Sequence, residues 1–292
     1  MKPAPFRYVA AASLEQALQL KAAYGEEARF LAGGQSLVPT MNFRLTQPAL
    51  LIDINPVTAC AGISKTGAPS VRIGALTRYR SLERDAATAR DLPLVHEALP
   101  HIAHPQIRNR GTIGGNLAHA DPASEMPAIV LALAGRLRAQ SVRGERWIGA
   151  TEFFKGALST ALEPDEMLTE VELPAAPPRS GACFIEVARR RGDFAIIGVA
   201  CTVELDAAGS CREARIGLCN AGDGPVFAEK TSASLKGRKI GAAEIDEAAA
   251  LVQGEIDPGG NVHASKAYQR HIAGVLTARA LKTANERAQR GH

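Results

Sequence analysis

A chain of 292 residues with 46% hydrophobic and 22% charged residues has the make-up of a soluble globular protein, with room for two domains that each bury a core. Aromatic residues are only 4% and the net charge is +4, with Lys and Arg scattered among acids, so a nucleic-acid-binding footprint is excluded. No apolar stretch has the length of a membrane span, and the opening MKPAPFRYVAAASLEQ lacks the continuous apolar region of a signal peptide. The five cysteines never form Cys-x-x-Cys, and their odd number suits free thiols in a reducing cytoplasm. The seven histidines show no ligand pairing, so no metal site is expected. His101 and His104 stand beside Pro105, where a regular helix is not expected.

In chain order, Ser13 reads as an N-cap with Gln16 completing a capping box. Leu14, Ala17, Leu18 and Leu20 then lay down one apolar face, and Gly25 ends the helix. ARFLA is a short strand, SLVPTMNFRL a helical turn or short helix, and LLIDIN at 50–55 a buried strand, which together make a compact α/β unit. SVRIGAL, a mixed helical region from Tyr79 to about Leu99, and the helix EMPAIVLALAG follow. RLRAQSV and RWIGA form a hairpin across Arg143-Gly144, and EMLTEVELP is a further strand. The Pro-rich PAAPPRSG at 174–181 marks a domain boundary, giving units 1–177 (lobes about 1–55 and 56–177) and 178–292. Beyond it, CFIEVAR, GVACTVEL and EARIGLC predict an antiparallel meander with Ala208-Gly209 at one turn. Two helices should close the chain, the last with Tyr268, Ile272 and Leu276 on one stripe and a charged tail that frays.

Two stretches carry adjacent glycines, FLAGGQSLVPT at 30–40 and GTIGGNLAHADPASE at 111–125. One Gly-Gly is ordinarily a tight turn. Two such pairs, each between a predicted strand and a helix start, suggest concavities lined by backbone N–H groups that fit a pyrophosphate. A charge-assisted hydrogen bond contributes about 1.5–3 kcal/mol, so several hold a dinucleotide without a lysine. Neither stretch is Gly-x-Gly-x-x-Gly or Gly-Lys-Ser/Thr, which argues against a Rossmann site and a Walker loop. Gln35, Ser36, Thr112 and Asn116 are donors for phosphate oxygens or flavin polar atoms. Asp121 reads either as a helix N-cap with Pro122 at the first position or as a site residue. Glu125 reads either as an acceptor for ribose or ribityl hydroxyls or as a first-turn acid stabilising a helix dipole.

AGGQSLVP together with TIGGNLAHADPASE resembles the FAD-binding medium subunit of the molybdenum hydroxylases, the xanthine dehydrogenase and carbon monoxide dehydrogenase family. The likeness continues through ARRRGDFAIIGVA and YQRHIAGVLTARAL and covers nearly the whole chain. It implies an α+β fold: a two-lobed FAD-binding domain, with a small α/β lobe and a mixed antiparallel lobe, then a smaller C-terminal domain with an antiparallel sheet and helices. Carried over by motif, the first FAD loop falls on Leu31, Ala32, Gly33, Gly34, Gln35, Ser36 and Leu37. The second falls on Thr112, Ile113, Gly114, Gly115 and Asn116, followed by Asp121 and Glu125. Ile102 and Leu168 match apolar positions near the flavin, with simple core packing as the alternative. Phe194 matches an aromatic close to the isoalloxazine, with a plain core phenylalanine as the alternative. Ile185 departs from the pattern, standing where the xanthine dehydrogenases carry a lysine, which argues against an NAD-type acceptor like theirs.

The resemblance implies an electron-transfer subunit. Substrate is oxidised at a molybdenum–pterin centre in a large subunit, and electrons pass through [2Fe-2S] clusters of a small subunit to FAD in this chain and on to an external acceptor. The assembly expected is a heterotrimer or a dimer of heterotrimers. No general base is expected on this chain, because a flavin relay needs position and potential. Two other readings stand beside this one: a self-sufficient FAD-dependent reductase of the same wider fold (UDP-N-acetylenolpyruvoylglucosamine reductase-like), and a nucleotide-binding regulatory module without redox chemistry.

Overall fold

The computed structural model describes residues 1–67 and 69–291. It opens with a strand the sequence did not announce, β1 (Arg7–Ala10), then α1 (Leu14–Tyr24), β2 (Ala28–Leu31), α2 (Leu37–Asn42) and β3 (Leu50–Asp53). β1 and β2 both pair with β3 in parallel. β1 was illegible because its side chains are mostly exposed, so RYVA shows no buried alternation. Ser13 caps α1 by accepting from Gln16 N at 3.1 Å. The Gln16 side chain reaches one residue further back than a capping box requires, accepting from Ala12 N at 2.7 Å. Gly25, at φ +49°, ends the helix as expected.

The second lobe begins with β4 (Ile63–Lys65) and β5 (Ser70–Gly74), then runs through α3 (Tyr79–Arg84), α4 (Ala86–Asp91), α5 (Pro93–Ala98), α6 (Pro105–Arg110), α7 (Ile113–His119) and α8 (Glu125–Ala132). β6 (Arg136–Ser141) and β7 (Gly144–Gly149) form the predicted hairpin. α9 (Ala150–Phe153), the ribbon β8 (Phe154–Gly156) and β9 (Ser159–Thr160), and β10 (Met167–Pro174) complete the lobe. Its antiparallel sheet has the order β4-β5-β10-β6-β7. Contrary to expectation, the His104-Pro105 segment does start a helix. Pro105 takes the first position of α6, where its missing N–H would have had no intrahelical acceptor.

The C-terminal sheet is the predicted meander, β11 (Ser180–Ala188), β12 (Ala195–Leu205) and β13 (Cys211–Cys219), extended by β14 (Val226–Phe227). Three helices follow rather than two: α10 (Glu229–Ser234), α11 (Ala242–Glu255) and α12 (Lys266–Arg290). α10, EKTSAS, is too short and polar to show a stripe. α12 is helical to Arg290 instead of fraying. Its buried face is Gln269, Ala273, Leu276, Ala280, Ala284 and Ala288, while Tyr268 is exposed. Gly181 on β11 allows this contact, since a Cβ there would strike Ala284 O and lie 2.6 Å from Ala288 N.

The first lobe packs its own core around Leu50, Ile52 and Ala17. The second lobe packs another around Ile73, Leu99, Ile113 and Leu137. The C-terminal sheet and its helices enclose a third. All eight residues of α8 are buried, as expected of a helix that is apolar nearly all round. It lies against β12 and β13, where Gly217 admits the carbonyl of Ala128.

Candidate functional site

Ligands of open parallel sheets collect beyond the carboxyl ends of the strands. At that end of the first lobe, β2 runs out at Leu31 into the first glycine stretch and β3 runs out at Asp53. Between them opens a cleft of about 490 Å³, lined by Leu31–Gln35, Val38, Pro39, Tyr8, Asp53, Asn55 and Arg110. Gly34 turns the chain at φ +72°. The first backbone hydrogen bond into α2 is Val38 N to Gly34 O at 3.1 Å. The N–H groups of Gln35, Ser36 and Leu37 precede the hydrogen-bonded part of the helix and are available to an oxyanion. Gln35 turns its amide back onto Gly33 O at 3.0 Å, and the exposed Ser36 leaves its hydroxyl out of the helix cap.

The second stretch does not follow a strand. It follows α6, and both of its glycines lie in the first turn of α7. Thr112 is the N-cap, accepting from Gly115 N at 3.1 Å. The other early amides are taken as well: Ile113 N by Thr77 O (3.1 Å), Gly114 N by Ala75 O (2.9 Å) and Asn116 N by Thr112 O (3.1 Å). A Cβ on Gly114 would collide with Ala75. The Asn116 amide and the Ser124 hydroxyl bond each other reciprocally at 2.6 and 2.9 Å, joining α7 to the start of α8. Ser124, not Asp121, is the N-cap residue of α8. Asp121 instead closes a tight turn, accepting from Ala123 N at 2.9 Å.

The fold brings the two stretches together. A Cβ on Gly33 would sit 2.5 Å from Arg110 O and 2.8 Å from Gly111 Cα. One on Gly115 would sit 2.8 Å from Thr112 Oγ1 and 3.7 Å from the Ala32 methyl. Absent side chains thus shape a seam where Ala32-Gly33 meets residues 110–115. A polar network braces it. Asn55 donates to Ala32 O at 2.9 Å and to Asp53 Oδ1 at 2.6 Å. Arg78 donates to Asn55 Oδ1 and to Arg110 O, and Tyr8 donates to Asp53 Oδ2 at 2.5 Å. Burial pushes the Asp53 carboxyl up, but the hydrogen bonds from Tyr8 and Asn55 outweigh it and hold the group below its ordinary value.

Of the other predicted residues, Ile102 and Leu168 are both buried in the core of the second lobe. Glu125 is 4% exposed, and burial, with Glu186 adding to it, pushes its carboxyl up to about 7. Phe194 is no core residue: it is 68% exposed, at the end of the connection between β11 and β12. Gly192 in that connection lies against His104 and the carbonyl of Ala103, next to Ile102. The end of β13 also props the Asp121 turn, with Asn220 N donating to Pro122 O at 2.6 Å, while Gln269 of α12 braces that end by donating to Ile196 O at 3.0 Å and to Asn220 O at 3.4 Å. Tyr8, Asp53, Asn55, Arg78 and Arg110 were not anticipated as site residues. The signal for Asp53 and Asn55 was present, as polar residues at the carboxyl end of an apolar strand.

Residues 4–176 match the model of the FAD binding domain in molybdopterin dehydrogenase, and residues 182–284 that of the CO dehydrogenase flavoprotein C-terminal domain. The chain belongs to this family of FAD-binding subunits. It is 44% identical to the 6-hydroxypseudooxynicotine dehydrogenase complex subunit alpha of Paenarthrobacter nicotinovorans, over 99% of this chain and 97% of that one. Among solved structures, it superposes on a chain of reconstituted CO dehydrogenase from Oligotropha carboxidovorans with a TM-score of 0.95 at 35% identity, covering 98% and 100% of the two chains. Quinoline 2-oxidoreductase from Pseudomonas putida 86 gives a TM-score of 0.91 at 35% identity, covering 98% and 99%. The α+β fold expected from the motifs is the fold of the family. This FAD subunit offers what a dinucleotide requires: a cleft at the strand ends, available amides at 35–37 and a close seam beside them that a Cβ on Gly33 or Gly115 would disturb.

Proposed function

We propose that this FAD subunit relays electrons within a molybdenum-containing dehydrogenase, taking them from [2Fe-2S] clusters of a small partner subunit and passing them to an external acceptor. Bound FAD supplies a carrier for two electrons. The chain's own residues bind and orient it. The amides of Gln35, Ser36 and Leu37, with the Arg110 guanidinium in the same cleft, hold the diphosphate. Gly33 and Gly115 let the first stretch close against residues 110–115 beside it, and Thr112 and Asn116 hold α7 in place there. Asp121 and Glu125 meet the ribityl and sugar hydroxyls. Ile102 and Leu168 give the isoalloxazine an apolar wall, and Phe194 stands at its solvent side. The domains are 1–177 for FAD and 178–292 for the flavoprotein C-terminal unit, divided at the Pro-rich stretch.

The observation that carries this reading is the contrast between the two glycine stretches: amides 35–37 are available, whereas the early amides of α7, Ile113 to Asn116, are all used. Substrate oxidation belongs to a large molybdopterin subunit, with the whole assembled as a heterotrimer or a dimer of heterotrimers in the cytoplasm. Five unpaired, buried cysteines agree with a reducing compartment. The self-sufficient reductase is not adopted, because relatives matched over nearly their full length are named as subunits or medium chains. The purified chain loaded with FAD should accept electrons from an artificial reductant and oxidise no organic substrate, with turnover only after both partner subunits are added. Substrate turnover by the chain alone, free of molybdenum and iron, overturns the reading.

A further inference from the structure

Asp121 sits between two carbonyls that are each held from another part of the fold. Leu158 N, in the turn between β8 and β9, donates to Ala120 O at 3.0 Å, and Asn220 N donates to Pro122 O at 2.6 Å. Ala120, Leu158 and Asn220 all lie in the left-handed region, at φ +51°, +54° and +55°. Of these three residue types asparagine resists that conformation least. Its position follows the end of a strand pair: the β12–β13 ladder stops at Gly198 and Cys219. One residue on, Asn220 turns the chain away, and its side chain stands in for the missing ladder bonds. Its Nδ2 donates to Ala195 O at 2.7 Å and to Ile196 O at 3.2 Å. Gln269 of α12, buried behind this junction, donates to Ile196 O and Asn220 O and accepts from Gly260 N at 3.0 Å.

Resting on the reading of the site as a flavin site, we propose that Asn220 is a positioning residue that fixes the Asp121 turn and the Phe194 end of β12 relative to each other. Its N–H holds the residue after Asp121, and its side chain holds the residue after Phe194. Those are two of the elements that the reading sets beside the cofactor. Within the turn, Ala123 N donates to Asp121 Oδ1 at 2.9 Å and Ser124 N to Asp121 O at 3.0 Å. These bonds shape the turn without fixing where it lies relative to Phe194. The connection that leads to Phe194 is fastened on its β11 side, where His101 Nδ1 lies 3.2 Å from Glu186 Oε1 and Gly192 packs on His104. Phe194 itself is exposed and takes its place from Ala195, whose carbonyl Asn220 holds. Asparagine combines what this junction needs: tolerance of the left-handed turn and an amide donor on a short arm.

Two measurements test this. Asn220→Gly keeps the left-handed turn and the N–H to Pro122 O while deleting the bonds to Ala195 O and Ile196 O. The comparison variant is Asn285→Ala, which removes a similar bond in the same unit, from α12 to Ile240 O at 3.1 Å. In the FAD-free full chain, amide hydrogen exchange should quicken at both 121–125 and 193–197 in Asn220→Gly and at neither in Asn285→Ala. In the FAD-loaded protein, Asn220→Gly should weaken FAD binding by about tenfold and change the visible circular dichroism of the flavin. Asn285→Ala should keep both at wild-type values even where its melting falls as far. If Asn220→Gly does not fold, Gln269→Met removes the support of Asn220 and should move the same readouts less. Loosening of one segment without the other, or flavin affinity and spectrum that follow melting alike in both variants, overturns the proposal. A wild-type protein that takes up no FAD, alone or with its partner subunits, defeats the reading of the site and the flavin role with it. The exchange rates then still decide whether Asn220 couples the two segments.

Discussion

In residues 31–37 a glycine pair leaves a parallel strand, and the three amides after it find no acceptor among the described residues. In residues 112–116 the same dipeptide sits inside the first turn of α7, and its amides are consumed by Ala75, Thr77 and Thr112. In both pairs the first glycine is a point of backbone contact, Gly33 with residues 110–111 and Gly114 with Ala75. The second glycines differ. Gly34 turns at a positive φ that side chains resist, whereas Gly115 is helical and faces Ala32 across the seam. One stretch presents donors and the other provides a surface to build against. Identical letters thus serve unlike ends, and only the partners of each N–H tell them apart.

Substitutions sharpen this contrast. Gly114→Val drives a branched side chain into the Ala75 backbone and should cost more than about 3 kcal/mol, seen as insoluble protein or a collapsed melting temperature. Wild-type melting would break the claim that this glycine is a contact. Glu125, just beyond the second stretch, should reveal its burial through pH. Its folded-state pKa is raised, so the stability it contributes is full below about pH 4.5 and is lost as pH rises through about 7. Glu125→Gln should therefore gain up to roughly 3 kcal/mol over wild type at pH 8 and nothing near pH 4, read from denaturant melts at both values. Equal differences at the two pH values would remove Glu125 from the buried set.

Gly34→Val adds about 1–2 kcal/mol of strain at positive φ, and should leave a folded protein stripped of flavin. FAD content equal to wild type would mean that residues 35–37 do not hold the cofactor. Phe194→Leu should have the smallest effect: an exposed side chain leaves melting unchanged, while the flavin absorbance or midpoint potential shifts slightly. A drop in melting with an unaltered flavin spectrum would return Phe194 to a purely structural role.

Much of this architecture was legible from local pattern. The capped α1, the β6–β7 hairpin and the β11–β13 meander each carry their period and their turn residues in a few adjacent letters. β1 and α10 did not, because one is mostly exposed and the other too short to show a stripe. The glycine stretches, with Asp121 and Glu125 beside the second, were found by their composition, and the family pattern supplied Ile102, Leu168 and Phe194. What stayed hidden depends on contacts between distant segments. Nothing near Arg78 in sequence indicates that it bridges Asn55 and the Arg110 carbonyl, and nothing near His101 predicts Glu186 beside it. The spent amides of Ile113 and Gly114 were hidden for the same reason, since their acceptors, Thr77 O and Ala75 O, lie some forty residues upstream.

Asn220 has a consequence for anyone recombining such subunits. Its N–H holds Pro122 O, and its side chain holds the carbonyls of Ala195 and Ile196 at 2.7 and 3.2 Å. A chimera joined at the Pro-rich stretch would graft a foreign Asn220 segment under a native Asp121 turn, and every mismatch of a few tenths of an ångström would be delivered to Glu125. The natural unit of exchange is therefore a mosaic: the C-terminal sheet travels with residues 120–125, although nearly a hundred positions separate them along the chain.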